Sequence, residues 1–126
     1  MELEERGLRV ISVMEEIPEL SHLPLDALKN IPLGRLRKGS TQRHGVCRWN
    51  RGAAIDINDI KAINIHPDAL NERWSRYADK VLYHEFLHAL GFYNHDDEFY
   101  RMEELWPDAE AFGVKREFSD FLMDKY

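Results

Sequence analysis

Apolar residues along this chain repeat at two periods, and each change of period marks a boundary. Leu3, Leu8, Val10, Ile11, Met14 and Ile17 form a stripe with charges opposite, which predicts a helix from Glu2 to Glu16. Pro18 stops it. Residues 18–34 hold Pro18, Pro24, Pro32 and Gly34 and read as a connector with one short turn at Leu25–Asn30. Three strand candidates follow. Arg35–Lys38 leads into a Gly39-Ser40 turn, and Thr41–Trp49 into a turn at Asn50-Arg51-Gly52; the third is Asp59–His66. It alternates, with Ile60, Ala62, Asn64 and His66 on one side and Lys61, Ile63 and Ile65 on the other, and Pro67 ends it. Helical spacing then returns. A helix beginning at Asn71 or Ser75 runs to Leu90, with Gly91 as its C-terminal cap. Asp96–Leu105 is a further helix with acids in its first turn, and Pro107 breaks it. Val114–Lys125 is the last, docking through Phe118, Phe121 and Leu122. This order predicts an α+β fold: a small sheet of about three strands packed on the long helix, with helices flanking.

At 126 residues the chain suits a single domain, 1–126, and 44% hydrophobic content supplies one packed core. No apolar run approaches the roughly 20 residues of a membrane span, and Met1–Glu5 is acidic with no signal-peptide pattern. A cytoplasmic monomer is expected. The single Cys47 excludes an intrachain disulfide and reads as a small core residue.

The net charge of −6 is unevenly spread. Residues 1–26 carry seven acids and two bases. Residues 27–55 carry no acid and seven bases: Lys29, Arg35, Arg37, Lys38, Arg43, Arg48 and Arg51. The remainder is acidic, most strongly after residue 91, with ten acids against four bases. A basic middle segment, 29–51, can serve a nucleic-acid or acidic-peptide partner. The favoured alternative is intramolecular, with the basic strands facing the acidic terminal helices.

The strongest chemical feature is His84-Glu85-Phe86-Leu87-His88, with His95 seven residues on. Histidines four apart on a helix lie on one face, a turn apart, so their imidazoles can converge on one cation. The adjacent glutamate can reach a water on that cation. This is the H-E-x-x-H arrangement of zinc metallopeptidases. The bare pattern arises by chance in roughly one chain of this length in a few hundred. Its surroundings here are mostly apolar, whereas a surface helix with two solvated histidines would be polar. Ala78, Leu82, Phe86, Ala89 and Tyr93 fall on the face opposite the histidines and read as core. Buried histidine and glutamate without partners would be costly, and a metal removes that cost.

A catalytic zinc takes three protein ligands and leaves one position for water. His84 and His88 supply two. His95, just past the reversal at Gly91, is the favoured third, with Glu98, Glu103 and Glu104 as alternatives. The metzincin spacing would put the third histidine at position 94, which is Asn94. His22 and His66 are not expected to be ligands, and His66 reads as an exposed strand end. Asp96 or Asp97 either orients a ligand histidine or caps the following helix.

His84-Glu85-Phe86-Leu87-His88, then Asn94-His95, then Phe99-Tyr100 resembles the SprT-like group of zinc metallopeptidases and its WLM and YgjP-type relatives. Gly39-Ser40-Thr41 into Cys47-Arg48-Trp49, and Ile63-Asn64-Ile65-His66-Pro67 before the long helix, agree with it less specifically. The likeness spans about Leu33 to Trp106. It implies a zincin-like fold, a bound Zn2+ and metal-dependent endopeptidase activity on peptide or unfolded protein. A second resemblance is to compact gluzincins (minigluzincin-like domains), whose third ligand is a glutamate and which are latent when a terminal segment covers the metal.

On this reading Glu85 is the general base. Tyr93, Tyr100, His44 and Arg43 are open candidates for the donor to the oxyanion. Asp59–His66 would lie beside the site and offer its edge to an extended substrate. The segment after Pro107 is expected to complete the core. The alternative is that it shields the cleft, with Asp124 or the terminal carboxylate near the zinc. A non-catalytic zinc-binding module and a nucleic-acid-associated protease acting on DNA–protein crosslinks are the competing functions.

Overall fold

The structure, a computed structural model, describes residues 2–50 and 56–126. The first apolar stripe folds as α1 (Leu3–Glu15), whose buried face is Leu3, Arg6, Gly7, Val10, Ile11 and Met14. Leu8, assigned to that stripe, is instead 50% exposed. It lies one residue past Gly7, about 100° around the helix from the buried line. Arg6 takes a buried place because its charge is paired there: one guanidinium nitrogen donates to the Ser75 carbonyl at 3.0 Å and to Asp79 at 2.8 Å. The connector folds into 3-10 turns at Pro18–Leu20 and Leu25–Asn30.

Three strands make one mixed sheet in the order β1-β3-β2: β1 (Leu33–Arg35), β2 (Gly45–Trp49) and β3 (Ile60–Ile65). β1 runs parallel to β3 and β2 antiparallel to it. Strands β1 and β2 are shorter than the expected Arg35–Lys38 and Thr41–Trp49, and β1 begins two residues earlier. One cause explains the missing ends of both. Arg35 and Gly45 both lie opposite Ile65, where β3 stops before Pro67, so residues 37–43 have no strand to pair with. The Gly39-Ser40 turn forms, with Ser40 donating to the Arg37 carbonyl. Of the turn at Asn50-Arg51-Gly52, only Asn50 lies within the described residues. Strand β3 is central, so Asp59–His66 offers no edge, contrary to expectation. The edge on the site side is β2.

His66, expected to be exposed, is fully buried. Its Nε2 pairs with the Lys38 carbonyl at 2.9 Å, and its Nδ1 accepts from the Asp68 amide at 3.1 Å. It therefore holds the β1–β2 loop and starts the turn Pro67–Leu70.

The long helix is α2 (Ser75–Ala89), led by a 3-10 turn that Asn71 caps. Ala78, Leu82 and Phe86 are fully buried and Ala89 nearly so, as the spacing predicts. Tyr93 is not on that face: the helix has ended, and the ring is 45% exposed against Trp49. Helix α2 packs on α1, on β2 and β3, and on the shorter α3 (Asp97–Glu103). The last helix, α4 (Val114–Lys125), matches its predicted bounds and buries Phe118 and Leu122 completely. Its end is tied to Asp68 by Lys125 at 3.2 Å and the Tyr126 hydroxyl at 2.9 Å. One core joins residues from Leu3 to Leu122. Among the described residues no helix is long and apolar enough to cross a membrane.

The intramolecular pairing expected of the basic segment is largely absent. Lys29 pairs with Glu15 and Asp26. Arg35, Arg37, Lys38, Arg43 and Arg48 are exposed and form no ion pair among the described residues. The acids of the helices are engaged elsewhere: Asp79 with Arg6 and Arg9, and Asp108 and Glu110 with Arg76.

Candidate metal centre

Helix α2 turns His84 and His88 to the same side, one turn apart. The chain then reverses at Gly91, whose φ of +115° is a backbone state that side chains disfavour. The reversal brings His95 back over them. The three Nε2 atoms form a nearly equilateral triangle: 3.2 Å from His84 to His88, 3.1 Å from His88 to His95 and 3.3 Å from His95 to His84. The outer nitrogens of two rings are already used. His84 Nδ1 lies 2.5 Å from Glu103 Oε2, and His88 Nδ1 lies 2.7 Å from the Phe92 carbonyl. Both partners accept, so both Nδ1 atoms carry the proton and the Nε2 lone pairs face inward. Lone pairs aimed at one another across 3.2 Å repel unless a cation sits between them. Tetrahedral zinc with Zn–N bonds of about 2.0–2.1 Å has nitrogen–nitrogen edges of roughly 3.3 Å. The triangle fits that geometry, and the three histidines could hold a metal ion. Phe99, fully buried, floors the cluster: its ring stacks on His88 and meets His84 and His95 edge-on. Tyr100 stacks on the outer face of His95.

The alternative ligands are placed otherwise. Glu103 reaches the far side of the His84 ring and lies 3.5 Å from Lys80. Burial pushes its carboxyl up, but the His84 hydrogen bond and the Lys80 charge outweigh this and hold it below the usual range. Glu98 and Glu104 are exposed, as is His22. Asp96 accepts from the Phe99 amide and caps α3; Asp97 opens that helix, exposed.

Glu85 is 5% exposed, with Oε2 3.9 Å from His84 Nε2. Burial is the main cause that pushes its carboxyl up to about 7, opposed by His84. Edge strand β2 lies directly on it. A Cβ on Gly45 would come within 3.2 Å of Glu85 Oε2 and 2.7 Å of Val81 Cγ1, so only glycine fits without movement.

A cleft of ≈ 320 Å³ opens between these elements. Residues 42–45, the face of α2 that carries His84 and Glu85, Tyr100 and the first turns of α4 line it. Of the proposed oxyanion donors, Tyr100 and Arg43 line the cleft and Tyr93 does not. His44 also lines it, but both its nitrogens are occupied, by the Tyr77 hydroxyl and by Ser119 Oγ. Burial and the nearby Lys115 push His44 down to about 4, so it is neutral at physiological pH. Cys47 is half-buried in β2, and burial pushes its thiol up to about 12, which fits an inert packing residue.

Tyr77, Lys80, Lys115 and Ser119 belong to this cleft and were not anticipated. For the first two the helical repeat held a clue, since 77, 80, 84 and 88 follow three- and four-residue steps up the face that carries the histidines. Lys115 and Ser119 depend on where α4 docks, which local pattern does not reveal. Asp124 is not among the residues lining the cleft, and its neighbours Lys125 and Tyr126 are held at Asp68, which lines a separate hollow.

Compared with protein-family models, curated proteins and solved structures, the chain matches none.

Proposed function

We propose that this chain is a zinc-dependent endopeptidase of zincin type, acting on peptides or unfolded protein, with a site like that of the SprT-like group. The observation that carries the reading is the triangle of inward-facing Nε2 atoms with the buried Glu85 beside it. Three neutral imidazoles with an open side suit zinc with a fourth position left for water. A zinc ion, when bound, supplies the Lewis acidity that acidifies a water and polarises the scissile carbonyl.

The chain's own groups do the rest. Glu85 takes one proton of the attacking water as the oxygen joins the carbonyl carbon. It passes that proton to the amine as the carbon–nitrogen bond breaks, leaving a carboxylic acid and an amine. Burial, which pushes this carboxyl up, suits a group that both takes and returns a proton. Tyr100 and Arg43 bring donors for the oxyanion into the same cleft. Among the described residues strand β2 pairs on one side only, with β3, so its outer main-chain groups suit an extended substrate.

The test is Glu85→Gln. It is expected to bind one zinc per chain, keep its circular dichroism and lose hydrolysis of casein or an unfolded peptide, because an amide cannot take the water proton. Undiminished cleavage by this variant would remove Glu85 from the mechanism. A purely structural zinc module is the weaker reading, since a structural site closes the fourth position with a ligand and has no use for a buried carboxylate alongside. A nucleic-acid-associated peptidase is the second reading, supported by the exposed Arg35, Arg37, Lys38 and Arg48 with no acidic partner among the described residues. Retention on DNA that falls steeply with salt would favour it.

A further inference from the structure

We propose that the cleft beside the histidines receives a carboxylate of the substrate, held by Arg43 and Lys115. The proposal rests on the peptidase reading above and names the substrate class for it. Five charged residues other than histidine line the cleft: Arg43, Lys80, Lys115, Glu85 and Glu103. Glu103 and Lys80 are paired with one another, and Glu103 also holds His84. Glu85 lies against the cluster. Arg43 and Lys115 are left, exposed and without a carboxylate partner among the described residues.

They reach the cleft from different walls. Arg43 precedes β2, and Lys115 stands in the first turn of α4, one turn before Ser119 on the same face. Lys115 shares the cleft with His44, Lys80 and His95, and Arg43 shares it with Glu85. An apolar group entering this space would strip water from two cations and return nothing. A basic group would add a third like charge. A carboxylate makes charge-assisted hydrogen bonds to both and relieves the repulsion between Lys80 and Lys115. Gln42 beside Arg43 and Ser119 beside Lys115 add neutral polar groups, one on each wall. The carboxylate can belong to an acidic side chain near the scissile bond or to a free peptide C-terminus.

The experiment separates these sources and separates this proposal from the peptidase reading. Glu85→Gln protein with one equivalent of zinc is titrated with labelled peptides by fluorescence anisotropy. The peptides are identical except for Glu, Gln or Lys at one internal position with an amidated end, plus the Gln peptide with a free C-terminus. Expected is about tenfold tighter binding of the internal-Glu or the free-terminus peptide than of amidated Gln, with Lys weakest. Whichever peptide gains identifies the source. Adding Lys115→Gln is expected to remove most of that gain, and adding Lys115→Glu to reverse it, with circular dichroism confirming the fold. Arg43→Gln is a second, independent variant with the same expected loss. Equal affinities across the set, or no binding at all, overturn the proposal, as does a preference indifferent to both positions. Cleavage by the parent is scored separately. Cleavage without charge preference sinks this proposal and leaves the peptidase reading. Preferential binding with no cleavage of any peptide does the reverse.

Discussion

Glu103 and the Phe92 carbonyl matter as much to the histidine cluster as its spacing does. By taking the Nδ1 protons of His84 and His88 they fix the tautomer that leaves Nε2 free. Two variants separate a ligand from a supporting residue. His95→Ala removes one corner of the triangle and is expected to abolish stoichiometric zinc at micromolar concentrations. Glu103→Gln keeps all three corners, so zinc is expected to stay at one per chain with affinity reduced roughly 10–100-fold. Competition with a chromophoric chelator measures both. One zinc per chain in His95→Ala, with none in Glu103→Gln, would transfer the ligand role to Glu103. The difference between these residues also marks what the sequence could reveal. His84 and His88 were readable because helix geometry alone places residues four apart together. His95 was readable from the reversal at Gly91. Glu103 was visible only as a possible ligand, because its actual contact depends on where α3 packs.

Strand β2 and helix α2 touch at the one place where neither tolerates bulk. Gly45 lies so close that a single added carbon would press on Val81 and Glu85 together. Gly45→Ala is therefore expected to cost about 1–3 kcal/mol and to displace Glu85, lowering kcat/KM as well as the thermal midpoint. Parental values for both would mean that strand and helix are not in register as described. Elements defined by local pattern came through the sequence well. Helix α4 has its expected bounds, and α2 begins at one of its two expected starts and ends one residue early. The sheet came through less well. Its strand order and the lengths of β1 and β2 follow from pairing with β3, a long-range fact that alternation within each strand does not encode. His66 was misread for the same reason: the Lys38 carbonyl that satisfies it comes from a loop distant in sequence.

Helix α4 completes the core and walls the cleft in a single element, so the chain cannot give up one role and keep the other. Phe118 packs against Trp74, Tyr77, His44 and His66 and is fully buried, as is Leu122. On the adjoining stripe of the same helix, Lys115 and Ser119 line the cleft. Losing a buried Phe and a buried Leu costs roughly 5–10 kcal/mol between them, against a total stability of about 5–15 kcal/mol for an ordinary domain. The removed segment also takes with it the Arg76 partners Asp108 and Glu110 and the ties from Lys125 and Tyr126 to Asp68. A chain truncated after Pro107 is therefore expected to lose its helical circular dichroism and bind zinc poorly. A helix serving only as a removable cover would behave otherwise, with the shortened chain staying folded and cleaving an unfolded protein substrate faster than the parent. That result would show that the sheet, α1 and α2 hold the histidine cluster without α4. It would also put the proposed carboxylate-binding wall outside the unit that holds the histidines.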